Sequence, residues 1–413
     1  MTGAATPTEE RLLGADFVRA AACLTVLAHH LGQRMSWRAD FGLLDWLPMF
    51  SRIGTFGVAM FFVLSGYLLA RPFWRALDDG RPMPSLGIYA LRRAARIFPA
   101  YWFILAVSFI LSLTVFGAEI NDELILRLVT GALGINAWHW VTLFPVEING
   151  PLWSIGFEIV SYVLLPLGLI AVFALRPGAP AWAGRLVFLA VIALTLVAHW
   201  LFVTYYPIDD INRSWEYGLV GGAKTWMPRY NPLGFFAIFA IGSLAAGVQL
   251  WLARHRSWIF DLIVVAIIAL TVWQFEMQSR NPDDAGYGVL GIPYGFPVFP
   301  ATIAALLAIT PSSVLVGRLL DNPVTVFLAR ISFGIYIWHY LVIELVRLWW
   351  DPRLTYGSET SIAQFGVSAL IVVGASLVLA TASFYLIERP AIRWARGLEK
   401  RPAPAPISAT APA

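Results

Sequence analysis

Apolar runs, most of them close to 20 residues, alternate along this chain with short connectors rich in arginine or acidic residues. A strand of a soluble sheet needs only about 4–8 residues, whereas about 20 apolar residues are what a helix needs to cross a bilayer. Ten runs fit that length, at roughly 15–33, 53–70, 98–117, 150–175, 186–204, 232–252, 258–276, 289–310, 331–350 and 363–388. The pattern predicts an all-α, polytopic membrane helix bundle of ten transmembrane helices. An eleventh apolar stretch, near 124–144, contains Arg127 and His139 and ends in aromatic residues.

Charge decides how that stretch is counted. If it does not cross and the N-terminus is cytoplasmic, the cytoplasmic loops and tail carry eighteen Lys and Arg, against nine outside. Counting it as a crossing abolishes the bias, which the positive-inside rule disfavours. The stretch is therefore expected to be a re-entrant or interfacial helix on the outer side, with N- and C-termini cytoplasmic. The membrane domain is expected over 15–390. A disordered tail is expected over 1–14, and a basic, then Pro/Ala-rich tail over 391–413.

Composition sharpens this picture. Hydrophobic residues make up 59% of the 413 positions and charged residues only 13%, with a mean hydropathy of +0.70, where a soluble chain carries about a quarter charged residues. The pI near 9.2 does not point to nucleic acid, because the basic residues flank apolar spans. Cys23 is the single cysteine, so neither a disulfide framework nor a Cys-based metal site is available. The first apolar segment follows Glu9 and Glu10, contains Arg19 and lacks a small-residue cleavage site, so it reads as a retained span. No internal repeat supports a transporter architecture. With no soluble catalytic domain in view, any chemistry falls to the membrane domain.

Ionisable groups inside a span are costly and mark candidate sites. Arg19 and His30, eleven residues apart, fall on one face of the first helix about 16 Å apart along its axis, while His29 points elsewhere. The alternative is that Arg19 snorkels to the inner surface and His30 caps the outer end. Between Ser85 and Pro99, Tyr89, Arg92, Arg93 and Arg96 form one helical stripe opposite an apolar one. The segment predicts an amphipathic helix at the inner surface, either a headgroup anchor or a phosphate clamp. Glu158 follows Trp153 and Ser154 two turns into the fourth span, where a carboxylate needs a partner or a wet cavity. Ser65-Gly66 suits helix packing more often than catalysis. His339, in the ninth span, is either catalytic or merely hydrogen-bonded.

Six motifs then occur in order. They are Arg19-x10-His30, Gly57-Val58-Ala59-Met60-Phe61-Phe62-Val63-Leu64-Ser65-Gly66, and Arg92-Arg93-Ala94-Ala95-Arg96-Ile97-Phe98-Pro99. The others are Pro151-Leu152-Trp153-Ser154-x3-Glu158, Ile331-Ser332-Phe333-Gly334-Ile335-Tyr336-Ile337-Trp338-His339 and Ile387-Glu388-Arg389-Pro390. In this order and spacing the chain resembles the acyltransferase-3 family of integral membrane O-acyltransferases, over residues 15 to 390.

The resemblance implies a multi-pass protein of the bacterial inner or plasma membrane. It would move an acyl group, commonly acetyl, from cytoplasmic acyl-CoA to a hydroxyl on a glycan or glycosylated small molecule. It makes Arg19 and His30 essential, with His30 as general base or transient acyl carrier and Glu158 as its orienting partner or the acceptor's. Arg92, Arg93, Arg96 and Tyr89 would hold the donor, and Trp153, Ser154, Ser65 and His339 would line the acceptor site. Acyl-CoA is a donor substrate here, with no permanently bound cofactor. The chain departs from the family pattern at Ala59, where many members carry Asp. A second reading is a secondary transporter of a glycan or lipid-linked precursor. Acceptors from lipopolysaccharide to macrolide sugars are open, as are acyl length and oligomeric state.

The charge bias makes a direct prediction of topology. A reporter fused after Lys400 or inserted near Gly80 should be cytoplasmic, and one near Tyr217 outside. An external C-terminus would restore 124–144 as a crossing and invert the second half of the map.

Overall fold

The computed structural model describes residues 12–40, 42–54, 56–175, 179–280 and 288–399, and among them every regular element is helical. The expected disorder before Leu12 and from Lys400 onward lies outside the described residues. The principal helices are α1 (Ala15–Gly32), α2 (Phe56–Asp78), α3 (Leu86–Thr114), α4 (Asp122–Leu133), α5 (Trp153–Phe173) and α6 (Ala181–Tyr205). They continue as α7 (Pro232–Leu252), α8 (Trp258–Arg280), α9 (Val298–Ile309), α10 (Pro323–Trp349), α11 (Ile362–Ser383) and α12 (Arg389–Glu399).

Among the described residues, eight helices are long and apolar enough to cross a membrane. Two of the ten expected spans fall short of that standard. The first, α1, has the length but carries Asp16, Arg19, His29 and His30. The eighth, expected over 289–310, becomes α-helical only at Val298, because residues before it turn through left-handed backbone at Leu290 and Tyr294. The stretch near 124–144 contributes α4, whose 12 residues reach only about 18 Å and cannot cross.

Two further expectations are corrected. Residues 85–99 are not a separate surface helix: they are the first turns of α3, a single helix of 29 residues that runs straight on through Pro99. The local sequence hid this, since a proline and a change from basic to apolar composition read as a boundary. The basic stretch after Pro390 is no tail either, as α12 continues to Glu399. At the start of the chain, Leu12 packs on the core, and Asp321 accepts hydrogen bonds from the Gly14 and Phe17 amides at 3.0 and 2.9 Å. That carboxylate caps the N-terminus of α1.

Burial sorts the helices. About two thirds of the apolar windows of α2 and α10 is buried (67% each), against 11% for α8 and 17% for α6. The first two are central, and the last two present apolar flanks outward, as lipid-facing helices do. The tightest contact is between α2 and α7. A Cβ on Gly66 would stand 1.9 Å from the Phe239 carbonyl oxygen, and one on Gly242 would stand 1.9 Å from that of Val63. Such spacing exists only because both positions lack a side chain. Ser243 then donates to the Gly66 carbonyl at 3.2 Å, and Trp74 Nε1 to the Ser243 carbonyl at 2.7 Å. Gly66 is thus a packing residue, while its neighbour Ser65 turns to the polar interior.

Leu12, Arg81 and Arg92 line one cavity, and Arg92 pairs with Glu399. Both ends of the described chain therefore lie beside the same cavity.

The close crossing carries a stability prediction. Gly66→Val should destabilise the protein by about 1–3 kcal/mol or prevent its folding, through overpacking against backbone that cannot yield. Gly374→Val, on α11 with nothing within 4 Å of the new Cβ, should leave the melt in detergent nearly unchanged. Equal melting temperatures would place the helix contact elsewhere.

Candidate active site

A polar cavity lies where α1, α2, α3, α5 and α10 converge, with an empty volume of about 780 Å³. Arg19 enters it from α1, Ser65 from α2, Arg93 and Arg96 from α3, Ser154, Glu158 and Tyr162 from α5, and Ser332 and Tyr336 from α10. The rest of its wall is apolar, including Phe61, Phe62 and Phe333. Charged groups set in such a wall interact more strongly than they would in water.

Each charge in the cavity has a distinct set of partners. Glu158 accepts hydrogen bonds from Ser65 Oγ at 3.2 Å and from the Tyr162 hydroxyl. Arg96 donates to Glu388 at 2.8 Å, tying the start of α3 to the turn before α12. Arg93 Nε is buried and unpaired, and Arg19 reaches the same cavity from α1. Two guanidiniums thus face an apolar-walled cavity, which is the arrangement for an anionic or strongly polar ligand. Ser154 and the Tyr336 hydroxyl lie 2.6 Å apart, and Tyr336 also donates to the Pro151 carbonyl at 3.0 Å.

The second polar centre is at the far end of α1. His30 and His339 stack with ring centroids 5.2 Å apart, and Tyr340 meets the His30 ring edge-on at 5.0 Å. His30 Nδ1 lies 2.9 Å from Gln33 Oε1. His339 Nδ1 lies 2.8 Å from the Tyr336 carbonyl and 3.1 Å from that of Ile335. Carbonyl oxygens only accept, so in both rings Nδ1 carries the proton and Nε2 presents a lone pair. His339 Nε2 is buried without a partner. Contrary to expectation, His29 does not point clear of this centre: its Cβ packs against Gly54, but its ring meets the His30 ring edge-on with centroids 4.7 Å apart. Arg34 closes this end, paired with Glu344 at 2.9 Å and lying 4.2 Å over the Tyr356 ring.

The predicted residues therefore fall into two groups rather than one. Arg19, Arg93, Arg96, Glu158, Ser65 and Ser154 share the cavity; His30 and His339 share the histidine stack. Tyr336 joins them, lining the cavity with its ring 6.0 Å from that of His339. Glu158 does not touch His30, a correction with a simple cause: α5 begins at Trp153, which sets Glu158 level with Ser65 and away from the last turn of α1. Trp153 does not line the cavity either. Its ring is 5.2 Å from Trp226 and 5.6 Å from Phe235, inside an aromatic cluster.

The arginine stripe also divides. Arg92 is clamped by both carboxylate oxygens of Glu399, at 2.8 and 2.6 Å. Tyr89 donates to the Tyr162 carbonyl at 3.0 Å and bridges α3 to α5. These partners draw Arg92 and Tyr89 aside, and of the stripe only Arg93 and Arg96 line the cavity. Ala59 is buried in the core, away from the cavity lining. Sequence reasoning assigned no role to Tyr162, Tyr336 or Glu388. Tyr162 stands one turn after Glu158, the i,i+4 spacing of paired side chains, and that signal was readable. Among the described residues no group of three or more His, Cys, Asp or Glu could hold a metal ion.

Comparison with known proteins places the chain among acyltransferases. Acyltransferase MdmB of Streptomyces mycarofaciens is 25% identical over 94% of this chain and 93% of its own length. Nodulation protein 10 of Rhizobium leguminosarum bv. viciae is 24% identical over 92% and 93%. Peptidoglycan O-acetyltransferase OatA of Listeria monocytogenes is 26% identical over 91% of this chain but only 55% of its own length. No solved structure matches the chain. A family model described as an acyltransferase domain matches residues 12–382, a span that holds both polar centres, and the protein belongs to that family of membrane acyltransferases.

Proposed function

We propose that the protein transfers an acyl group, acetyl in the simplest case, from acyl-CoA to a hydroxyl of a carbohydrate or glycosylated acceptor at a bacterial cell membrane. The observation that carries this reading is the separation of the two centres along α1. Arg19 and His30 are about 16 Å apart on the helix axis, which suits a donor whose charged end and reacting end are themselves far apart, as in acyl-CoA. The Listeria relative, named for O-acetylation of peptidoglycan, supports a carbohydrate acceptor. Family membership sets the transporter reading aside.

In this reading Arg19 and Arg93 hold the polar donor arm within the cavity, and His30 takes the proton of the acceptor hydroxyl at Nε2. The hydroxyl oxygen attacks the thioester carbonyl carbon, the C–S bond breaks, and the CoA thiolate leaves as the thiol, taking the proton back from His30. Tautomer control by Gln33 keeps Nε2 available as the base. A general base of this kind contributes about 10²–10⁴ in rate.

Complementing a deletion strain and measuring acetyl groups on its surface glycans tests the base. His30→Ala should lower transfer by about 10²–10⁴-fold with expression intact, whereas His29→Ala should retain most activity. Equal losses would remove the distinction between the two faces of α1.

The charges of α3 separate by readout. Arg93→Ala should weaken acetyl-CoA binding in detergent about tenfold or more, with little change in melting temperature, because a charge-assisted hydrogen bond is worth about 1.5–3 kcal/mol. Arg96→Ala should instead lower stability, by about 3–5 kcal/mol, since it strands the buried Glu388 carboxylate. An Arg96→Ala melt like that of the parent would show that the pair is not structural.

A further inference from the structure

The phosphate clamp expected at Arg92, Arg93 and Arg96 does not exist as a unit, because Glu399 and Glu388 engage two of the three guanidiniums. A second cavity, with an empty volume of about 1950 Å³, opens beside the first at the basic end of the bundle. Its ionisable lining is five arginines (Arg19, Arg71, Arg75, Arg81 and Arg92) and one carboxylate, Asp16. The cavities share Arg19 and Leu68, so Arg19 stands at the passage between them.

We propose that this outer basic cavity is the seat of the phosphorylated nucleotide end of the donor, held chiefly by Arg75 and Arg81 with Arg71. The proposal rests on the acyl-CoA reading above and adds the location of the phosphates. Three features support it. The C-terminal turns of α2 present Arg71 and Arg75 one turn apart on one face, the i,i+4 spacing that lets two guanidiniums approach one polyanion. The connector Arg81-Pro82-Met83-Pro84 forms the facing wall, where two prolines hold the backbone extended and leave Arg81 displayed.

The electrostatic balance also favours an anion. Arg71 Nε donates to Gln249 at 3.1 Å, Arg81 to Asp79 at 2.6 Å and Arg92 to Glu399 at 2.6 Å. The Asp79–Arg81 contact is between exposed side chains, each more than half accessible, and such pairs are weak enough to exchange for a multivalent phosphate. Arg75 is exposed at the rim. The field of the cluster falls off within about a Debye length, ~8 Å in physiological salt, so it acts on a ligand seated in the cavity. An arm leaving this seat meets Arg19 and enters the inner cavity beside Arg93.

Clustered arginines also attract anionic lipid headgroups, and the experiment separates the two sources. Full-length protein in neutral detergent is titrated calorimetrically with CoA, with adenosine 3′,5′-bisphosphate and with pantetheine, which lacks the phosphates. Binding to vesicles containing phosphatidylglycerol is measured alongside. For Arg75→Ala/Arg81→Ala, whose side chains are exposed and whose fold is checked by melting, CoA and bisphosphate affinity should fall at least tenfold. Pantetheine affinity should be unchanged, and Arg75→Lys/Arg81→Lys should recover only part of the loss. Unchanged CoA affinity in the Ala variant, with the parent binding normally, would overturn the placement and leave acyl-CoA as donor. Loss of vesicle binding with CoA affinity intact would assign the cavity to lipid headgroups and also overturn it. A parent protein that binds neither CoA nor pantetheine would overturn the acyl-CoA reading itself.

Discussion

The crossing of α2 and α7 at Gly66 and Gly242 is the contact on which the rest of the interior depends. Helix association inside lipid has no hydrophobic drive, so it relies on close packing and interhelical hydrogen bonds. Two absent side chains let these backbones touch, and Ser243 and Trp74 secure the contact with hydrogen bonds. With α2 held against α7 on its Gly66 side, its other side is turned toward α1, α5 and α10, and Ser65 meets Glu158 there. The glycine that packs and the serine that lines the cavity are adjacent in sequence because neighbouring residues on a helix point about 100° apart.

Buried charge shapes the remainder. A carboxylate or guanidinium away from water is tolerated when it is paired, and most are: Arg96 with Glu388, Arg34 with Glu344, Arg185 with Asp78, Arg127 with Glu147. Three of these pairs join segments far apart in sequence, tying α3 to the turn before α12, the end of α1 to α10, and α6 to α2. Arg19 and Arg93 stand outside this scheme. Their donors face the cavity without a direct ion pair among the described residues, with Glu158 on the same wall and Asp16 lining the adjoining cavity.

The two polar centres lie along one helix. Near its start, α1 bears a cation beside a cavity, and in its last turn an imidazole whose proton position is set by Gln33. His339 contributes a second imidazole oriented by backbone carbonyls of α10, one turn from Tyr336 and thus from the cavity wall. A long donor can be charged at one end and reactive at the other without any side chain serving both.

The sequence by itself determined the membrane class, the helical fold, most of the spans and the family, because runs of about 20 apolar residues and ordered motifs are local properties. It also singled out candidate side chains, since an ionisable residue in an apolar run stands out without knowledge of its neighbours. It did not determine partners. That Glu158 bonds Ser65 and Tyr162, that Arg92 and Arg96 are neutralised by Glu399 and Glu388, and that His30 stacks on His339 are all consequences of helices meeting. The continuity of α3 through Pro99 and the late start of α9 were likewise tertiary decisions: propensity marks a boundary, and packing against α5, α10 and α12 or the strained loop before Val298 overrides it. Helical periodicity fixes which face a residue occupies, but only the tertiary arrangement fixes what that face meets.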